Sequence, residues 1–129
     1  MNLVHVVIGL ALVQFLYFGI AVGSARGRYG VKAPATSGNE VFERYFRVQM
    51  NTLELLVILL PALLLFAHYV SPIWAAGLGA VYLVGRILYF LAYVKDPAKR
   101  TLGFTLSMLP TLALLVGGLG GAILAVVRG

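Results

Sequence analysis

Polar side chains recur at helical spacing where one of the apolar segments of the chain begins. Four of them are three, four and three residues apart, which places them on one face of an α-helix: Arg44, Arg47, Asn51 and Glu54. Because an ionisable side chain inside an apolar segment is costly and usually functional, Glu54 is the unusual residue, and Arg47 is its expected partner. The alternative interpretation is that the charged residues are only solvated where the helix leaves the membrane, and that Asn51 and Glu54 satisfy each other there. Gln49 points about 200° away from Arg47, so this helix carries polar groups on two sides.

A second polar face follows in the next apolar segment. Its members are four, three and four residues apart: Tyr82, Arg86, Tyr89 and Tyr93. An aromatic belt at a membrane interface explains Tyr93 and Tyr89. Arg86 and Tyr82 lie too deep for such a belt, so both are expected to have polar partners within the protein.

The two faces are expected to meet at one end of the molecule, where Arg26 and Arg100 approach from basic loops. This collection suits a small ligand with carboxylates and an amine, because arginine pairs with carboxylates and Glu54 pairs with an ammonium group. A phosphate or chloride site would leave Glu54 unexplained, and a cation transporter would not need so many arginines. No metal site is predicted.

The composition explains why these polar residues are conspicuous. Of the 129 residues, 61% are hydrophobic and 11% charged, and the mean hydropathy is +0.98, which indicates an integral membrane protein. About 20 apolar residues cross a bilayer, so the chain is predicted to form one all-α transmembrane domain with four spans. The glycine-rich segment Gly23–Gly38 is predicted to be a loop, and Gly117–Gly121 contains a small-xxx-small pair typical of close helix packing, although glycine is also frequent in membrane helices generally. The predicted spans cover residues 3–22, 40–69, 73–94 and 102–127.

Charge and cysteine content restrict the function further. The net charge of +6 comes from few basic residues beside apolar spans, so nucleic-acid binding is not expected. The positive-inside rule places the two basic loops in the cytoplasm and both termini on the other side, in a bacterial inner membrane or an endoplasmic reticulum membrane. There is no cysteine, so any sulfur nucleophile must come from a bound thiol.

The motifs resemble those of the MAPEG family, the membrane-associated proteins of eicosanoid and glutathione metabolism. Residues 42–51, Phe-Glu-Arg-Tyr-Phe-Arg-Val-Gln-Met-Asn, followed by Glu54, are similar to the family signature at the start of its second helix. Residues 85–93 are similar to its Arg-x-x-Tyr-Phe-x-x-Tyr run, and Arg26 and Arg100 match its loop positions. The nearest branch by these motifs is that of microsomal glutathione transferase type two and leukotriene C synthase.

This resemblance implies a four-helix bundle that assembles as a homotrimer, with glutathione bound as thiol co-substrate between subunits. It implies that one subunit holds glutathione through Arg47, Asn51 and Glu54. It implies that the next subunit reaches glutathione through Arg26, Gln49, Tyr89, Tyr93 and Arg100. The family uses the arginine at the position of Arg100 to stabilise the thiolate, which then attacks a hydrophobic electrophile or reduces a lipid hydroperoxide reaching it through the bilayer.

Two residues depart from the leukotriene synthase pattern. Leu55 replaces a tyrosine that contacts glutathione, and Gly27 replaces a second loop arginine. These departures weaken the case for a leukotriene substrate and leave the case for glutathione intact. Two other functions remain: a non-catalytic lipid-binding member of the family, and a small four-helix transporter driven by Glu54.

Overall fold

Four long helices form the protein in a computed structural model that describes all 129 residues. Each helix is long and apolar enough to cross a membrane, so the predicted all-α, multi-pass membrane architecture is confirmed. A short 3₁₀ turn, Pro97–Lys99, connects the third helix to the fourth. The helices are α1 (Asn2–Tyr29), α2 (Glu40–Tyr69), α3 (Pro72–Lys95) and α4 (Thr101–Arg128).

Local sequence signals set where α2 and α3 begin. The side chain of Asn39 accepts a hydrogen bond from the backbone N–H of Phe42 at 3.0 Å, which caps the first turn of α2. Ser71 caps α3 in the same way through the N–H of Trp74, at 3.3 Å, and Pro72 takes the first helical position. These caps satisfy backbone donors that a helix start leaves free.

The first helix is longer than the sequence predicts, because α1 continues to Tyr29, into the first part of the glycine-rich segment that was predicted to be a loop. Val22 and Ala25 are buried in a small cluster with Val31 and Phe42, and this packing keeps the segment helical despite its low intrinsic propensity. The helix ends at Gly30, whose φ of 68° is a left-handed conformation that glycine adopts without strain.

Helices α2 and α3 form the middle of the bundle, since α1 and α4 each pack on both of them. The main core contains buried aliphatic residues from all four helices, among them Val4, Leu59, Leu63, Ala75 and Leu114. The charged ends of α2 and α3 extend beyond this core, at the end of the bundle that carries the basic loops after α1 and α3, hereafter the basic end.

Glycines allow α4 to approach its neighbours closely. A Cβ on Gly117 would lie 2.5 Å from the ring of Phe66, and one on Gly121 would lie 2.7 Å from Cβ of Tyr69. The glycine-rich part of α4 therefore packs against α2 within one chain. At the basic end, Gly103 of α4 lies directly against the backbone of Tyr89 in α3.

Candidate functional site

A cavity of about 470 Å³ opens at the basic end between α2, α3 and the start of α4. The close approach at Gly103 brings the first turn of α4, and the arginine before it, against α3. Five of the lining residues are polar, and each was predicted from the sequence as a site residue. The cavity is lined by Arg47, Asn51, Tyr89, Tyr93, Arg100 and Phe104.

Glu54 lies beside this cavity, paired with one of the lining residues. Its Oε1 is 3.6 Å from Nη2 of Arg47, so the predicted pairing is confirmed. Both side chains are more than half exposed, at 63% and 54%, and exposed ion pairs contribute only about 0–1 kcal/mol. Arg47 and Glu54 can therefore separate and each bind a ligand group at little cost in free energy.

The tyrosines form one wall of the cavity. The rings of Tyr89 and Tyr93 stack with centroids 5.3 Å apart and planes 27° apart. Tyr89 is buried, and on its inner side the guanidinium carbon of Arg86 lies 4.2 Å from the ring centroid. A cation at this distance is attracted to the ring face and helps to hold the ring in place.

Arg86 lies below the cavity and is completely buried, with no exposed surface. Its Nε donates to Ser107 Oγ at 2.9 Å, and its Nη1 donates to Asn51 Oδ1 at 2.8 Å and to Thr52 Oγ1 at 3.2 Å. The expectation that Arg86 has polar partners is thus confirmed.

The same expectation is wrong for Tyr82, whose buried hydroxyl has no hydrogen-bond partner. Its ring packs in the apolar core of the bundle, which offers it no acceptor. Sequence reasoning missed Ser107 and Thr52 as partners of Arg86, because Ser and Thr are common in membrane helices and spacing along one helix does not show which helix it meets.

Arg100 stands at the mouth of the cavity and is exposed. Its Nη1 donates to the carbonyl of Pro97 at 3.1 Å, which leaves most of its five N–H donors free. Arg44, from the same predicted face as Arg47, has a different place: it donates to the carbonyls of Val94 and Lys95 at the end of α3. Arg44 therefore ties α2 to α3 and does not line the cavity.

Two predicted site residues lie away from this cavity. Arg26 donates to the carbonyl of Ala35 at 2.6 Å and covers the ring of Phe42, with its Cζ 4.9 Å from the centroid. Gln49 faces α1, where its Nε2 lies 3.2 Å from the position of a Cβ on Gly19. The opposite directions of Gln49 and Arg47 on α2 follow from their two-residue separation.

The resemblance divides the site residues between two subunits, whereas one chain already brings several of them together. Tyr89, Tyr93 and Arg100 were expected to reach the ligand from the subunit next to that of Arg47, but all four residues line one cavity of a single chain. The reason is that α2, α3 and α4 pack together at the basic end, so their polar faces meet within the chain. Only Arg26 and Gln49 face away from it.

Comparison with known proteins assigns this arrangement to a family. The sequence matches the model of the MAPEG family over residues 4–120. It is 54% identical over 110 residues to an uncharacterized protein of Synechocystis sp., covering 85% of this chain and 80% of that protein. Microsomal glutathione S-transferase 2 of Homo sapiens is 41% identical over 112 residues, 86% of this chain and 76% of that enzyme. Leukotriene C4 synthase of Bos taurus is 36% identical over 84 residues, 65% of this chain and 56% of that enzyme. The protein therefore belongs to the MAPEG family.

Proposed function

We propose that this protein is a membrane-bound glutathione transferase that binds glutathione at the basic end and activates it as a thiolate. The observation that carries the proposal is the cavity in which two guanidinium groups, two phenols and an amide converge beside Glu54. Relatives named as glutathione transferases and a leukotriene synthase support the same chemistry. Glutathione has two carboxylates, one ammonium group and one thiol, so it matches the charges present.

Binding uses the exposed ion pair of α2. Arg47 turns to a carboxylate of glutathione, and Glu54 turns to its ammonium group, so each charge exchanges one partner for another. The amide of Asn51 and the hydroxyls of Tyr89 and Tyr93 supply neutral hydrogen bonds around the peptide. The ligand is thereby held with its sulfur towards Arg100.

Arg100 is the proposed catalytic residue. A free thiol has a pKa of about 8.5 and is mostly protonated at neutral pH, and a guanidinium beside it favours the anion. Each unit by which the thiol pKa falls corresponds to about 1.36 kcal/mol of differential interaction. The thiol proton leaves to solvent, the thiolate attacks the electrophilic carbon, and the new sulfur–carbon bond forms as the leaving group departs or a conjugated double bond takes up the electrons.

The second substrate is a hydrophobic electrophile or a lipid hydroperoxide that arrives through the bilayer. In the peroxide reaction, two glutathione molecules supply two electrons and are oxidised to the disulfide, and the hydroperoxide is reduced to an alcohol and water. The residues lining the outer faces of the helices are almost all aliphatic or aromatic, which suits such a route.

The working unit is proposed to be a homotrimer in which each cavity is completed by a neighbouring subunit. Arg26 and Gln49 lie outside the cavity of their own chain, on the side of α1 and α2, and are the residues available to a neighbour. The basic end and the glutathione site are proposed to face the cytoplasm, because that end carries eight of the ten basic residues of the chain.

The function is tested with purified protein in detergent or lipid. Glutathione and a panel of apolar electrophiles and lipid hydroperoxides are added, and conjugate and oxidised glutathione are measured by mass. We expect saturable turnover that Arg47→Leu reduces and Glu40→Gln, a change in an exposed residue outside the cavity, leaves unchanged. Absence of both turnover and glutathione binding in the folded wild-type protein would reject the proposal in favour of a lipid-binding role.

The shared site is tested by mixing two defective chains. Arg47→Leu chains keep Arg26, and Arg26→Leu chains keep Arg47, so a mixed assembly contains some cavities with both arginines intact. We expect partial recovery of turnover on co-expression. Mixed assemblies that remain as inactive as either parent would show that each subunit works alone.

A further inference from the structure

Arg86 is a buried cation for which the chain provides no acidic partner. The chain has only four acidic residues, and none is a hydrogen-bond partner of Arg86. Removing a charged group from water is expensive unless hydrogen bonds and opposite charge compensate for it. Its position under the ligand cavity therefore suggests a role in the site.

The two hydroxyls around Arg86 are arranged to accept from it. Ser107 Oγ donates to the carbonyl of Gly103 at 2.7 Å, and Thr52 Oγ1 donates to the carbonyl of Val48 at 2.7 Å. Each hydroxyl has one proton, and that proton is committed to a carbonyl one turn earlier in its helix. Both oxygens therefore present only lone pairs to the guanidinium.

The third partner, Asn51, is constrained by the same chemistry. A guanidinium has N–H donors and no acceptor, so the atom of Asn51 that meets Arg86 Nη1 at 2.8 Å must be the amide oxygen. The amide nitrogen then points away from Arg86. Since Asn51 also lines the cavity, its two N–H donors are the atoms offered to a ligand.

We infer that Arg86 is a positioning residue of the ligand site: it holds the Asn51 amide by its oxygen, so that the amide presents donors to the ligand. This inference rests on the proposed function, because it assigns the ligand atom that meets Asn51. That atom is an acceptor, a carbonyl or carboxylate oxygen of glutathione. Without Arg86, the amide is free to turn and present its own oxygen, which repels the same ligand atom.

The first test replaces Asn51 by aspartate. Asn51→Asp keeps an oxygen for Arg86 and supplies the missing opposite charge, but it removes both N–H donors from the cavity. We expect thermal stability to be equal to or above wild type and the glutathione Kd to rise at least tenfold, about 1.4 kcal/mol. A matched control is Tyr82→Phe, which removes a nearby buried hydroxyl that has no hydrogen-bond partner and should leave the glutathione Kd unchanged without lowering stability.

The second test is a double-mutant cycle with Arg86→Lys, which keeps the charge but replaces the separate nitrogens that meet Ser107 and Asn51 by one ammonium nitrogen on a flexible stem. We expect Arg86→Lys to raise the glutathione Kd several-fold in the wild-type background and less than twofold in the Asn51→Ala background. Equal effects in both backgrounds, or wild-type affinity in Asn51→Asp, would overturn the inference while leaving the proposed function in place. A wild-type protein that does not bind glutathione would overturn both.

Discussion

Replacing Gly103 by alanine should separate helix packing from the chemistry of the site. A Cβ at this position would lie against the backbone nitrogen and Cα of Tyr89 and 2.9 Å from the carbonyl carbon of Leu88. Backbone atoms cannot rotate aside as a side chain can, so α4 must move away from α3. Overpacking of this kind costs about 1–3 kcal/mol, and we expect the upper part of that range.

Gly120 provides a matched control in the same helix, because a Cβ there would meet nothing within 4 Å. Gly120→Ala should stabilise the protein by up to about 1 kcal/mol, the difference in helix propensity between the two residues. The two substitutions are chemically identical, so their stabilities should differ by about 2–4 kcal/mol in favour of Gly120→Ala.

The assay is thermal or denaturant unfolding in one detergent at a fixed protein concentration, since the proposed subunit assembly would make stability concentration-dependent. The glutathione Kd is measured on the folded variants. Gly103→Ala should also weaken glutathione binding, because the displaced α4 carries Arg100 away from Tyr89 and Tyr93. Equal stabilities for the two variants would refute the close contact between α3 and α4.

Three further results are expected at the basic end. Glu54→Gln and Arg47→Leu should each raise the glutathione Kd at least tenfold, about 1.4 kcal/mol, because each leaves one charge of the ligand unpaired; calorimetric titration measures this, and unchanged binding would dismiss the site. Gln49→Ala should weaken binding in the assembled protein although Gln49 lies outside the cavity of its own chain, and an unaltered Kd would count against a site shared between subunits. Arg44→Leu should lower stability by about 1 kcal/mol through the lost bonds to the carbonyls of Val94 and Lys95, with little change in Kd, as unfolding and titration of the same sample would reveal.

Much of the fold could be predicted because membrane helices are strongly marked in the sequence. Long apolar runs, the Ser71-Pro72 break and the Asn39 cap are local signals that need no knowledge of tertiary structure. The end of α1 could not be placed this way. Its glycines indicate a loop locally, and the burial of Ala25 against Phe42, a residue of the next helix, keeps the segment helical.

Helical spacing and the position of the basic loops predicted that the polar faces of α2 and α3 meet at one end of the molecule, but not that they meet within a single chain. Spacing tells which side chains share a face of one helix, and it does not tell which faces of different helices meet. The family resemblance, and not the spacing, assigned Tyr89 and Arg100 to a different subunit from Arg47, whereas the packing of α2, α3 and α4 places all three around one cavity of a single chain. The spacing places Arg86 deep in its span, and the positioning role proposed for it rests on its hydrogen bonds to Asn51 and Ser107.

The most direct test of the central claim is the ultraviolet difference absorbance of thiolate when glutathione is added to the wild-type protein and to Arg100→Leu, followed across pH. We predict that the wild-type protein forms thiolate near neutral pH. In Arg100→Leu the apparent thiol pKa should move back towards about 8.5, with glutathione affinity much less affected and turnover partly recovered at higher pH. Thiolate formation that is absent from the wild type, or a titration that Arg100→Leu leaves unshifted, would contradict the assignment of Arg100 as the residue that activates glutathione.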